Sequence, residues 1–192
     1  MPGSYCVQSD VESYLGMATG SGGALMAALI PRISRFFDQA TNMPLGWDSE
    51  TVTEYLTGVV DRKGNLSVLV GKPVVNSVSA ISVLYSPYAA ALTVDLTTVW
   101  LDGPRIRVMD GKLLWLRDWR LRVQVTYVGG YSPLPDDIVH AAIVLTARTF
   151  KAKDAGFSDV VGSDALGTLI YSKIMPREIQ ALVNTRRRVA VV

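Results

Sequence analysis

VQVTYVGGYSPLPDDIVHAAIVLTARTFKAKDAG, residues 123–156, carries a strand, a corner and a long helix in one unbroken run. Val123, Val125 and Tyr127 alternate with polar residues, the period of a half-buried strand. Gly129 and Gly130 end that strand, because residues without Cβ tolerate the positive φ of a sharp corner. Pro135 suits the first turn of a helix, where its missing N–H removes no bond. Asp136 and Asp137 set negative charge against the positive end of the helix dipole. Lys151 and Lys153 set the opposite charge at the far end, before Gly156 terminates the helix. Ile138, Ala141, Ala142, Leu145 and Thr149 form one stripe on it, and Val139, Ile143, Thr146 and Phe150 form a second. A helix apolar over more than one face is buried on more than one side. Either it is the centre of a core, or one side belongs to another subunit.

Upstream, Asp10 is placed to cap a first helix through VESYLGM, which Gly16 stops. ATGSGG (residues 18–23) is then a flexible joint; no Gly-Lys-Ser/Thr follows, so it is not a phosphate loop. A second helix is expected over 24–41, with a kink or break at Pro31 where one backbone hydrogen bond is lost. Residues 47–128 change to Val, Thr, Tyr and Trp with turn signals at short intervals. Strands are expected at 51–57, 66–70, 78–85, 94–100 and 120–127. Asp110-Gly111 should close a tight hairpin between 106–109 and 112–116. Downstream, 157–175 reads as a loop without clear period, and Pro176 opens a last helix ending in Arg186, Arg187 and Arg188.

The expected fold is therefore α+β and mainly a helical bundle of about four helices. An antiparallel β-sheet or sandwich is inserted between the second helix and the central one. Residues 1–46 and 129–185 should form one discontinuous helical core, 47–128 a β-rich insertion, and 186–192 a basic and apolar tail.

Composition narrows the function. The chain of 192 residues is 49% hydrophobic and 19% charged, with a net charge of +2, globular and too weakly basic overall for non-specific DNA binding by its body. No apolar run reaches the length of a membrane span, and MPGSYCVQSD lacks the pattern of a signal peptide, so a soluble intracellular product is the expectation. Cys6 is the only cysteine and His140 the only histidine. A disulfide framework and a thiolate metal cluster are thus excluded, and neither a metal site nor a cofactor site is expected. Cys6 reads as a buried thiol. Asp136, Asp137 and His140 are the only grouping with a hydrolase look, and they lack a nucleophile with a base and an orienting partner. No catalytic residue is assigned, and a non-enzyme is expected. Trp100, Trp115 and Trp119, with Tyr55, Tyr85 and Tyr88, read as sandwich core or interface before sugar-binding or base-stacking surface. Arg105, Arg107, Arg117, Arg120 and Arg122 alternate with apolar residues and should line one solvated face, open to nucleic-acid contact.

The order of parts resembles the head–tail connector (adaptor) proteins of tailed bacteriophages, of the gp6-like kind. Tyr127, Gly129, Gly130, Pro135, Asp136, Ile138 and Ala141 match that family's strand–glycine–proline–helix signature. Lys72, Pro73, Val74, Ser77 and Val78, in GKPVVNSVSAISV, resemble its P-V/I…S-V…V strand, and Pro176, Leu182, Arg186, Arg187 and Arg188 its C-terminal helix. The resemblance implies a structural virion protein of the neck, assembled in the host cytoplasm. It would form a ring, commonly of twelve subunits, beneath the portal protein, extending the channel for double-stranded DNA and carrying the head-closing or tail proteins. Membrane contact is not implied. Ile138, Ala141, Ala142 and Leu145 are then the expected subunit interface. Ile179, Leu182, Arg186, Arg187 and Arg188 are the expected portal-docking residues. The alternatives are another neck ring protein (a head-closing stopper or tail terminator), a ligand-binding β module or a small hydrolase.

Overall fold

The chain divides into two units, Met1–Asn42 with Leu134–Val192, and Met43–Pro133. The computed structural model describes residues 3–84, 91–109, 111, 113, 115, 120–154, 160–163, 169–171 and 175–188. In chain order the elements are α1 (Gln8–Leu15), α2 (Gly23–Thr41), β1 (Glu50–Val60), β2 (Leu66–Leu69), β3 (Val75–Leu84), β4 (Leu92–Thr93), β5 (Val99–Asp102), β6 (Arg105–Val108), β7 (Arg120–Gly129), α3 (Asp136–Asp154), β8 (Val160–Ser163), β9 (Leu169–Tyr171) and α4 (Arg177–Arg186). Among the described residues no helix is long and apolar enough to cross a membrane.

In the first unit, α1 starts one turn earlier than its sequence indicates. Val7 is the cap residue, and Asp10, inside the first turn, accepts from the Val7 N–H at 3.3 Å. Gly16 ends the helix at φ 67° and returns its N–H to Glu12 and Ser13 carbonyls, a left-handed cap. The joint that follows is pinned. Glu12 accepts from Gly20 N–H and Gly22 N–H at 2.8 Å each, and from Gln8 Nε2 at 2.6 Å. Pro31 does not break α2, which runs through it to Thr41. Met26, Ile30 and Phe37 are buried on either side of the proline and hold the two halves in one line of packing. Opposite them α3 buries Ile138, Ala141, Ala142 and Leu145, and α4 buries Ile179 and Val183. Tyr5 closes this core, its hydroxyl on Asp38 and its ring edge-on to Phe37 at 6.4 Å.

The hydrogen bonds to Glu12, with Gln8 foremost, hold its carboxyl below the ordinary glutamate value of 4.5. The unfolded chain therefore takes up this proton first. The stability from Glu12 is complete above the ordinary value and is lost as pH falls through the depressed folded one. Glu12→Gln should accordingly lower the melting temperature at neutral pH, and the gap from the native chain should close on acidification. A gap of constant size from neutral to acidic pH would remove the carboxylate from this role.

The second unit is one antiparallel sheet, ordered β4-β3-β7-β1-β2-β6-β5, which curls into a half-barrel. β7 is its spine, paired with β1 from Glu50↔Gly129 to Val59↔Arg120 and with β3 on the other side. The inner face collects Val60, Leu66, Val68, Ile81, Val83, Ile106, Val108, Val123, Val125 and Tyr127 into one core. Gly58 allows that closure, since a Cβ there would lie 2.7 Å from Leu66 Cδ1 and from Val123 Cγ2.

The expectation of a mainly helical bundle does not hold. The residues in strands are comparable in number to those in helices, and the sheet carries its own core. Here β1 spans 11 residues, and β3 and β7 span 10 each. Paired along their length, they close over an interior of their own and are not an appendage to a helical core. The expected Asp110-Gly111 hairpin falls largely outside the described residues, which leave out Asp110, Lys112, Leu114 and Leu116. β6 is paired with β2 on one side and β5 on the other, so it has no free edge. Gly103, at φ 57°, makes the tight β5–β6 connection. The expected strand over 94–100 is instead a 3₁₀ turn over Leu96–Thr98 followed by the start of β5, with β4 lying just before it. The expected loop over 157–175 contains the β8–β9 hairpin. Lys153 is within α3, and Gly156 lies outside the described residues.

Candidate functional site

Two sequence stretches far apart in the chain, Gly71–Val75 and Tyr127–Tyr131, meet where β1 begins and β7 ends. Tyr127 is the last large inward side chain of β7. Its hydroxyl donates to Glu54 and accepts from the Lys72 N–H at 3.3 Å, while Glu54 also accepts from the Gly71 N–H at 2.8 Å. Lys72 thereby enters the interior. Its side chain is fully buried, and Nζ donates to the carbonyls of Leu45 at 2.6 Å and Asp48 at 2.7 Å. Its charge is met by Glu50 Oε1 at 3.0 Å and Asp48 Oδ1 at 3.6 Å. Lysine is almost never fully buried unless paired, and here it is paired fourfold.

Gly130 completes the clasp. At φ 108° it donates to Val74 O at 2.9 Å, while its carbonyl accepts from Asn76 Nδ2 at 2.9 Å. Tyr131 then pairs with Asp48, giving its N–H to Trp47 O at 2.8 Å and taking Ser49 N–H at 3.1 Å. The Trp47 and Tyr131 rings stack at 6.2 Å. The chain's entry to and exit from the sheet unit are thus fastened to each other. This clasp is structural: it fixes a corner and offers no open reactive group.

Lys72→Met tests it. The substitution keeps the stem and removes the donors, leaving two carbonyls and two carboxylates facing an apolar tip. Asp48 and Glu50 keep 24% and 32% of their side-chain surface, so the cost should lie near the low end for a broken buried pair, about 3 kcal/mol. Denaturant unfolding checks this; a loss below about 1 kcal/mol would show the lysine to be replaceable.

No protein-family model and no curated protein matches the sequence. Among solved structures, a chain of the neck of an empty GTA particle, computed with C6 symmetry, matches with a TM-score of 0.58 and 19% identity, over 96% of this chain and 90% of that chain. The two chains share a fold. The likeness runs through both units, since so little of either chain is left outside it.

Within this fold the expected interface residues lie inside. Ile138, Ala141, Ala142 and Leu145 are at most 2% exposed, packed in the core of the helical unit, with no side-chain surface left for a second copy. In the second stripe Val139, Ile143 and Phe150 are half-buried, while Thr146 is buried. Apolar surface in this unit is offered by Val7, Tyr14, Leu25 and Phe36, each 39–58% exposed. The expected portal-docking set is divided as well. Ile179 is buried, Leu182 half-buried and Arg187 exposed. Arg186 reaches Asp137 Oδ2 through Nη2 at 2.7 Å and Nε at 3.1 Å, a paired geometry that ties α4 to the start of α3. Arg188 donates its N–H to Thr41 O at 3.0 Å and accepts from Asn42 Nδ2 at 3.1 Å. The arginine run is therefore anchored as far as Arg188, and residues 189–192 lie outside the described residues.

Asp136, Asp137 and His140 do not converge on a reaction centre. Asp137 is taken by Arg186, and the His140 ring stands edge-on to Tyr14 at 6.3 Å. Burial pushes the Cys6 thiol up to about 11, so at neutral pH it is protonated and inert. Among the described residues no group of three or more His, Cys, Asp or Glu stands close enough to hold a metal ion. Of the aromatics, Tyr55 (58% exposed) and Trp100 (64%) stand on the outer face of the sheet and are not core, and Trp115 is also exposed. Tyr85, Tyr88, Trp119 and Arg117 lie outside the described residues.

Sequence reasoning noticed Lys72 only as part of a motif and passed over Glu12, Asp48 and Glu50. The available signal was Lys72 itself, a lone charge between Gly71 and Pro73 in an otherwise apolar stretch.

Proposed function

We propose that the chain is a structural protein of the neck of a tailed-phage-like particle, acting as the connector (adaptor) in a ring beneath the portal. The observation that carries this reading is the fold held in common, over nearly the full length of both chains, with a neck protein of a GTA, a phage-like gene transfer agent. The C6 symmetry of that neck supports self-association into a ring. Closed rings use two different patches per subunit. In this chain the exposed apolar residues of the helical unit, Val7, Tyr14, Leu25 and Phe36, supply the surface for such contacts. Portal docking falls to Leu182, Arg187 and the apolar end 189–192. Arg186 and Arg188 already serve α4. The connector role fits a chain with four helices; a head-closing stopper or tail terminator is the second reading, favoured by the size of the seven-stranded sheet.

Native mass spectrometry of the purified chain, alone and with its portal protein, tests the proposal. The expected result is a closed ring, or a complex with one copy per portal subunit. Deleting residues 189–192 should leave the fold intact and weaken portal binding. A monomer or dimer that ignores the portal overturns the connector role, and a ring that binds tail components but no portal moves the assignment to the second reading.

A further inference from the structure

The outer face of the sheet concentrates positive charge that the whole-chain balance of +2 conceals. Arg120, Val59, Ser67, Arg107 and Trp100 form one lateral row across β7, β1, β2, β6 and β5. In the adjacent row Arg122 pairs with Thr57, and Arg105 stands between Leu69 and Asp102. All four arginines are exposed, and among the described outward residues of these five strands Asp102 is the one carboxylate. Asp102 meets Arg107 at 3.7 Å with both side chains largely in solvent, a contact of little strength that a phosphate displaces. At the spacing of neighbouring strands the Arg107 and Arg120 positions are about 14 Å apart.

We infer that this face binds the phosphate backbone of double-stranded DNA. The polar residues among the arginines are Ser67, Thr57, Gln124 and Tyr55, hydroxyl and amide groups that with arginine make up the usual donors to phosphate, and Val59, Leu69 and Trp100 stand singly beside them. The guanidinium of Arg122 lies over the Tyr55 ring at 5.1 Å, which holds it in place. A protein partner would need pockets for apolar anchors. The shallow groove here is lined by Asp61, Asn65, Leu66, Ser67, Arg105, Arg107 and Met109, in which the two arginines and the Asn65 and Ser67 side chains are donors for a phosphate. The Asp61 carboxylate in it is already occupied by the N–H groups of Lys63 and Asn65, at 2.8 and 2.9 Å. Single-stranded nucleic acid would need open aromatic platforms. Tyr55 carries Arg122 over its ring, and Trp100 is the one other aromatic among the described outward residues of these five strands.

Binding is read by fluorescence anisotropy of a labelled mixed-sequence duplex titrated with the full chain. Four neutralised phosphates give a slope of log K against log salt of about −3.6, so affinity should fall about a hundredfold between about 50 and 200 mM salt. Changing Arg105, Arg107, Arg120 and Arg122 together to Gln should remove that slope, and changing all four to Lys should keep it. Arg32→Gln with Arg177→Gln, exposed on other elements, should leave it unchanged; circular dichroism checks that each variant folds. Absence of binding at low salt, or an unaltered slope in the Gln variant, overturns the inference. Displacement of the duplex by polyglutamate at equal charge also overturns it and reassigns the face to an acidic protein. Ring formation is read separately, so failure here leaves the neck reading standing.

Discussion

Replacing Gly130 by alanine is expected to lower the melting temperature by about 10 °C or more, a loss of about 4 kcal/mol. A Cβ at this position would lie 2.0 Å from Asp48 O, 2.5 Å from Asp48 C and 2.9 Å from Ser49 N. These are backbone atoms of the strand entry and cannot turn aside as a flexible side chain would. The φ of 108° adds strain for any L-residue with a side chain. To make room, Asp48 would have to leave Tyr131, and the hydrogen bonds from Tyr131 to Trp47 and from Ser49 to Tyr131 would go with it. Gly103→Ala is the control. That residue also has positive φ, 57°, but nothing lies within 4 Å of its added Cβ, so only the conformational cost of about 1–2 kcal/mol applies. Equal melting temperatures for the two variants would show that the close approach to Asp48 costs nothing.

Ala142→Glu should be as damaging, in the other unit. Ala142 is 1% exposed in the helical core, and an unpaired carboxyl there is either desolvated as an ion or forced to keep its proton. The expected loss is about 4 kcal/mol, with reduced helical circular dichroism or insoluble protein as the outcome. Ala152→Glu, near the end of the same helix and exposed, should cost less than about 0.5 kcal/mol. If both variants fold and melt alike, the centre of α3 is not the core of its unit.

Both positions show why some features of the chain are readable without its structure. The Gly129-Gly130 corner, the Pro135 start of α3 and the acidic first turn are local effects of backbone freedom and helix electrostatics. They hold whatever the rest of the chain does. The alternation Val123–Val125–Tyr127 and the helical stripe Ile138–Ala141–Ala142–Leu145 follow from strand and helix periods in the same way. The stripe says that those residues are buried, but not by what. An apolar face covered by α1 and α2 and one covered by a second subunit have the same sequence pattern, and only the packed chain separates them.

The rest was settled by contacts between distant segments. Which strands pair depends on surfaces matching across many residues, so only the packed sheet shows β6 between β2 and β5. Pro31 was overruled because the packing of Met26, Ile30 and Phe37 outweighs one missing hydrogen bond. The sequence marks Lys72 only as a lone charge in an apolar stretch, and marks Glu12 not at all. Lys72 is buried because two carbonyls and two carboxylates of another segment surround it, and Glu12 because a glycine loop turns its N–H groups inward. Sequence by itself determined the four helices, the long strands β1, β3 and β7, the Gly129-Gly130 corner and the apolar faces, while it left the β8–β9 hairpin as loop. Tertiary structure decided the single curled sheet, the clasp at Lys72 and Gly130, and the arginine rows on the outer face, since each exists only where separate strands lie side by side.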